Sequence, residues 1–87
     1  MANELDAPRK RIDAIDRSII SLLAQRISLS KKIGAIKRKA GAAVLDAKRE
    51  MQVRRNVQAH AKSFGLSSEY TKGVFALILR NSRKNQR

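Results

Sequence analysis

The chain predicts an all-α fold: three helices, the first of them very long, paired with a second copy in a homodimer. Three observations carry the fold class. Apolar residues recur at spacings of three and four between positions 12 and 36, no stretch alternates apolar with polar residues as a half-buried strand does, and helix-capping residues stand wherever the periodicity lapses.

Helix one opens with Asp6 as N-cap and Pro8 in the first turn, where a missing N–H and a fixed φ are tolerated. Ile12, Ile15, Ile19, Leu22, Arg26, Leu29, Ile33 and Ile36 then form one seam, and the pattern continues to about Ala40. Gly34 interrupts it at a cost of about 1 kcal/mol without ending the helix. Residues 41–45 read as a loop and Asp46 as the next N-cap. Helix two carries Glu50, Val53, Val57, Ala61 and Phe64 on one stripe and stops at Gly65. Ser67 caps helix three, and Glu69 in its first turn complements the helix dipole. The third seam is Thr71, Phe75, Ile78, Ser82 and Gln86, with residues 83–87 expected to fray.

The first helix is too long for a compact monomer. Its roughly 34 residues span roughly 50 Å, whereas a compact chain of this length has a diameter of roughly 30 Å. Apolar seam residues continue along the projecting part, so a second copy is expected to cover it, most simply through a two-fold dimer.

Composition narrows the functional classes. With 87 residues the chain forms one small domain, residues 1–87, whose core is marginal without help. There is no cysteine, and one histidine with seven scattered carboxylates makes a dedicated metal site unexpected. No signal peptide or membrane-spanning run is evident, so a cytoplasmic location is expected. The net charge of +13 is unevenly laid out: no acid stands between Asp16 and Asp46, and none follows Glu69. Such a field favours anionic partners, whether nucleic acid, acidic lipid or a small dianion.

Polar groups on the apolar stripes point to a site. Arg26 interrupts the first seam, and a guanidinium facing a core must meet an anion there. Lys37 lies eleven residues on, about 20° around the helix and about 16 Å along it, a separation that leaves room for a small molecule. Helix two offers Glu50 beside Arg49, and helix three Ser82 and Gln86 one turn apart. Singly, each has a plain explanation: a long cation reaches to the rim of an apolar face, and polar residues often form the wet end of a last helix. One on every helix suggests convergence. Arg26, Lys37 and Arg49 against Glu50 leave a surplus of two positive charges, which fits a small dianion. Arg9 stands about 25 Å before Arg26 and about 100° around the rod, so it reaches such a pocket only from the second copy of an antiparallel dimer.

Taken together, these residues resemble the all-helical chorismate mutases over nearly the whole chain, from Pro8 to Gln86. The family's opening arginine and I-D-x-I/L-D occur as Arg9, Ile12, Asp13, Ile15 and Asp16, and its LLAxR as Leu22, Leu23, Ala24, Gln25 and Arg26. Its G-x-x-K occurs as Gly34 to Lys37, and its D-x-x-R-E as Asp46, Ala47, Lys48, Arg49 and Glu50.

The resemblance implies a cofactor-free [3,3] (Claisen) rearrangement of chorismate to prephenate, a step of aromatic amino-acid biosynthesis, in an intertwined dimer with two sites. It implies that Arg26 and the partner's Arg9 bind the substrate carboxylates with help from Ser82, and that Lys37 and Gln86 donate to the ether oxygen. Glu50 and the backbone near Asp46 would hold the ring hydroxyl, supported by Arg49. Arg83 departs from the pattern, standing where the family usually has an apolar pocket residue; it either points to solvent or adds a cation.

Three alternatives stay open. Isochorismate pyruvate lyase uses the same scaffold, although the Asp46, Arg49 and Glu50 cluster leans toward the mutase. A basic helical nucleic-acid binder would use the charge, but Phe64, Tyr70 and Phe75 are the only aromatics and at least two of them read as core. An interaction module would keep the fold and act only on another enzyme. Docking of a shikimate-pathway enzyme on the basic surface is likewise open.

Overall fold

The computed structural model describes residues 3–87, so Met1 and Ala2 of the expected 1–87 domain lie outside the described residues. It contains three α-helices, α1 (Asp6–Ala40), α2 (Ala47–Ser63) and α3 (Ser68–Gln86), and no strand among the described residues. Local chemistry sets most boundaries where the residues predict them. Asp46 Oδ1 accepts the Arg49 N–H at 3.0 Å, and Ser67 Oγ accepts the Tyr70 N–H at 3.2 Å, each satisfying an amide that a first helical turn leaves free. Gly41 and Gly65 take φ of 66° and 70°, a left-handed conformation that closes α1 and α2. The following amides, Ala42 and Leu66, then return to the carbonyls of Lys37 and Ala61 at 2.8 Å.

Two boundaries differ from expectation. Asp6 is the first helical residue rather than the N-cap: Leu5 holds the N-cap position without a side-chain capping bond, behind a turn closed by Asn3. Asn3 Oδ1 accepts the Leu5 N–H at 2.9 Å and Asn3 O the Asp6 N–H at 3.0 Å, which leaves the Asp6 carboxylate in the first turn to complement the dipole. Of residues 83–87 only Arg87 leaves the helix: α3 stays helical through Gln86 because Arg83, the Gln86 side chain and the Gln86 carbonyl each bond to another element.

α3 is the central element. It packs on both α1 and α2, which make no close backbone approach to each other. The pairs Arg26–Ser82 and Gly34–Gln86 show α3 ascending alongside the second half of α1. Glu50–Arg83 and Gln58–Ser68 show α2 and α3 forming an antiparallel hairpin. The buried residues of α1 are small, Ser30 and Gly34, and they let α3 approach closely.

The first half of α1 stands clear of this body. All described residues up to Gln25 are exposed, the molecule measures 63 × 24 × 16 Å, and its radius of gyration of 16.8 Å exceeds the roughly 12 Å of a compact chain. Among the described residues only Ala61 and Leu79 are buried apolar groups, while Ile12, Ile15, Ile19, Leu22, Leu29, Ile33 and Ile36 are all exposed. The seam read from the periodicity therefore exists, but this chain does not cover it. Phe64, expected on the α2 stripe, is 80% exposed because it falls in the C-cap, where the backbone leaves the helical path. Leu79, one position beyond the expected Ile78, is the apolar anchor of α3.

Candidate active site

A stripe of α1 comprising Arg26, Ser30, Gly34 and Lys37 faces the last two turns of α3, and the start of α2 closes the third side. Together they enclose a cavity of about 350 Å³. Arg26, Lys37, Asp46, Arg49, Glu50, Ser82 and Gln86 all line it, so seven of the eight residues singled out from the sequence converge on one space. Arg9 does not: it is exposed on the projecting half of α1 and is absent from the cavity wall.

Each wall has its own wiring. Arg26 donates from its guanidinium to Ser82 Oγ, tying α1 to α3. Lys37 Nζ donates to the Val44 carbonyl at 2.6 Å and to Gln86 Oε1 at 2.7 Å, so one ammonium pins both the 41–45 loop and the end of α3. Two of its three protons are thereby placed, and one remains for a ligand. Because Gln86 Oε1 accepts from Lys37, the Gln86 amide has its NH2 group left to donate. Arg38 supports this corner by donating to the Gln86 carbonyl at 3.0 Å, a cation at a helix C-terminus where the exposed carbonyls favour one.

The opposite wall belongs to α2. Glu50 is buried, and Arg83 NH1 donates to both its carboxylate oxygens, at 2.5 and 2.7 Å. Arg54 reaches Glu50 Oε1 from solvent at 3.4 Å. Asp46 spends an oxygen on its capping bond, and Arg49 NH1 donates to Gln52 Oε1 at 2.7 Å. The cavity thus holds Arg26, Lys37, Arg49 and Arg83 against Asp46 and Glu50, a surplus of two positive charges. Burial, and secondarily the nearby Arg49, lower the Arg26 pKa from the usual arginine value. The cation is uncomfortable there, and a bound anion would relieve it. This is a site for orienting a small dianion beneath fixed hydrogen-bond donors.

A family model described as chorismate mutase type II matches residues 8–87. The chain belongs to that family. Among similar proteins, the chorismate mutase of Methanocaldococcus jannaschii is 28% identical, the match covering all of this chain and 88% of that protein. A bifunctional chorismate mutase/prephenate dehydratase of Buchnera aphidicola (subspecies Acyrthosiphon pisum) is 34% identical over 98% of this chain and 22% of its own length. The T-protein of Enterobacter agglomerans is 28% identical over 94% of this chain. The chain spans about a fifth of that protein's length, 22%. A solved structure of a conserved hypothetical protein from Pyrococcus furiosus superposes with a TM-score of 0.73 at 34% identity, covering both chains completely.

Within this family frame, three contributors to the cavity escape a reading of side-chain pattern. Ser30 lines it because it is the small residue one turn after Arg26, a spacing that was available in the sequence. The Val44 carbonyl and the Arg38 cap depend on where the loop and the end of α3 come to rest, and no residue pattern announces them. Arg83 lines the cavity and pairs with Glu50, and does not simply point to solvent.

Proposed function

We propose that this chain is a chorismate mutase that converts chorismate to prephenate in the cytoplasm, working as a homodimer whose subunits exchange Arg9. The observation that carries the reading is the convergence of seven side chains from three helices on one cavity with two surplus positive charges. Chorismate is a dicarboxylate, and its rearrangement needs no nucleophile and no proton relay. Catalysis then rests on freezing a flexible dianion in its reactive chair and on donors placed where charge grows in the transition state. In this reading Arg26 and the partner's Arg9 hold the carboxylates, with Ser82 steadying Arg26. Lys37 and Gln86 donate their remaining N–H groups to the ether oxygen as its carbon–oxygen bond breaks. Glu50, with the Asp46 region and Arg49, receives the ring hydroxyl.

The bare α1 seam supports the dimer. Seven large aliphatic residues there are 45–65% exposed, and covering them is worth about 1 kcal/mol each, on the order of the whole stability of a small domain. Charge does not oppose it. Residues 3–17 carry four acids and four bases, while residues 18–87 carry sixteen bases and three acids, so a neutral rod is offered to a strongly cationic body. A groove of about 880 Å³ between α1 and α3 has Leu23, Ile27, Leu77 and Ile78 along it, apolar surface that such a rod would cover.

The direct test follows chorismate loss and prephenate appearance with purified protein. Turnover is expected, and Lys37→Ala is expected to lower kcat by about 100- to 1,000-fold, the usual cost of a lost transition-state donor. No turnover of chorismate, or pyruvate release from isochorismate as the faster reaction, would overturn the assignment.

A further inference from the structure

Arg83 and Glu50 form the one close ion pair that crosses between helices among the described residues, and both line the candidate cavity. Glu50 has a second cation within reach: Arg54, one turn along α2, approaches Oε1 at 3.4 Å from a largely exposed position. A partly buried pair is not a dependable source of stability, since desolvation offsets its attraction. What Arg83 adds is aim. Its side chain is 27% exposed and that of Glu50 only 11%. A single guanidinium nitrogen spans both carboxylate oxygens at 2.5 and 2.7 Å, which fixes the direction in which the carboxylate faces.

We propose that Arg83 is a positioning residue that turns the Glu50 carboxylate toward the cavity, and so makes the pocket select a substrate bearing a hydroxyl at that end. An ionised carboxylate has about four acceptor positions and no proton to donate. Arg83 uses one on each oxygen, Arg54 approaches Oε1, and capacity remains on Oε2. A substrate hydroxyl meets that capacity, whereas a ligand with hydrogen in its place leaves a buried acceptor short of a partner. Arg83 also adjoins Ser82, which receives Arg26, so one step of α3 sets the carboxylate end and the hydroxyl end of the cavity together. The inference rests on the mutase reading above, and its test separates the two.

The substrates are chorismate and an analogue with hydrogen in place of the ring hydroxyl. The variants are Arg83→Met, Arg83→Lys, Glu50→Gln and the double variant Glu50→Gln/Arg83→Met. The readouts are kcat and KM, with calorimetric binding of both compounds as a measure independent of turnover. The double variant leaves no unpaired carboxylate and guards against misfolding of Arg83→Met, and circular dichroism checks each protein.

Wild type is expected to prefer chorismate by about 100-fold in kcat/KM, the upper range of the cost of leaving a buried acceptor unpaired. Arg83→Met is expected to reduce that preference to below about tenfold, chiefly through KM for chorismate, and Arg83→Lys to restore part of it. In the Glu50→Gln background, Arg83→Met should change the preference by less than about twofold, because its effect runs through Glu50. Equal loss for both compounds would show Arg83 binding a substrate carboxylate directly and would overturn the inference, as would a preference that survives Arg83→Met. A wild type that neither converts nor binds chorismate removes the mutase reading and this inference with it. A wild type that converts chorismate without the expected coupling removes this inference alone.

Discussion

Gly34→Ala tests whether the α1–α3 approach is what places the donors of the candidate site. A methyl group added at Gly34 would press on the Gln86 carbonyl oxygen and lie 2.6 Å from Gln86 Cα and 2.8 Å from its carbonyl carbon. Ordinary carbon–carbon contact begins near about 3.5 Å, so the last turn of α3 must retreat by roughly 1 Å. Two energies then compete. Alanine improves helix propensity in α1 by about 1 kcal/mol, and overpacking costs about 1–3 kcal/mol, so the net loss of stability is at most about 2 kcal/mol. The effect on the site is larger, because the atoms that must move carry Gln86, the Lys37–Gln86 bond and the Arg38 cap. Misplacing a donor by about 1 Å costs about 100-fold in rate. The assay pairs steady-state chorismate turnover with thermal unfolding followed by circular dichroism. The expected result is a kcat/KM lower by about 100-fold in a protein that still folds. A folded Gly34→Ala protein with wild-type turnover would refute the reasoning, since Gln86 would then be placed by something other than this contact.

Three further outcomes follow from the same geometry. If the second copy supplies Arg9, then Arg9→Ala and Lys37→Ala proteins are each nearly inactive, but mixing and re-equilibrating them restores about a quarter of wild-type activity, because each mixed dimer contains one intact site; no recovery would place Arg9 outside the site. Ile15→Lys with Ile19→Lys puts two charges on the bare seam, and sedimentation is expected to show loss of the dimer together with loss of helical signal, whereas an unchanged sedimentation coefficient would mean that this seam is not the interface. Turnover is expected to vary by less than about threefold from pH 5 to 8: Gln86 has no proton to lose in that range, and Arg26, although lowered by burial and by Arg49, keeps its charge far above neutrality. A steep decline above pH 6 would contradict the neutral-donor role of Gln86.

Much of the architecture is written in local chemistry, which acts over a few residues and is therefore legible in a linear string. The periodicity of α1, the Asp46 and Ser67 caps and the closing glycines 41 and 65 are of this kind. So is the rotation that puts Arg26 and Lys37 on one stripe, since a rigid helix converts sequence spacing into angle. The errors are local competitions decided by a neighbour. Leu5, behind a turn closed by Asn3, took the N-cap position expected of Asp6, and the bend after α2 carried Phe64 out of its stripe.

The sequence by itself therefore determined three helices, their order, the excess of positive charge and the residue types a dianion would meet. Only the tertiary structure decided that Lys37 spends two protons on Val44 and Gln86, that Arg38 caps α3, and that Arg83 turns inward to Glu50. Those contacts join residues 33 to 49 positions apart, or a side chain to a loop carbonyl. Their existence depends on how closely α3 settles against Gly34 and Ser30, and that distance is set by packing between helices, which no periodicity within one helix encodes.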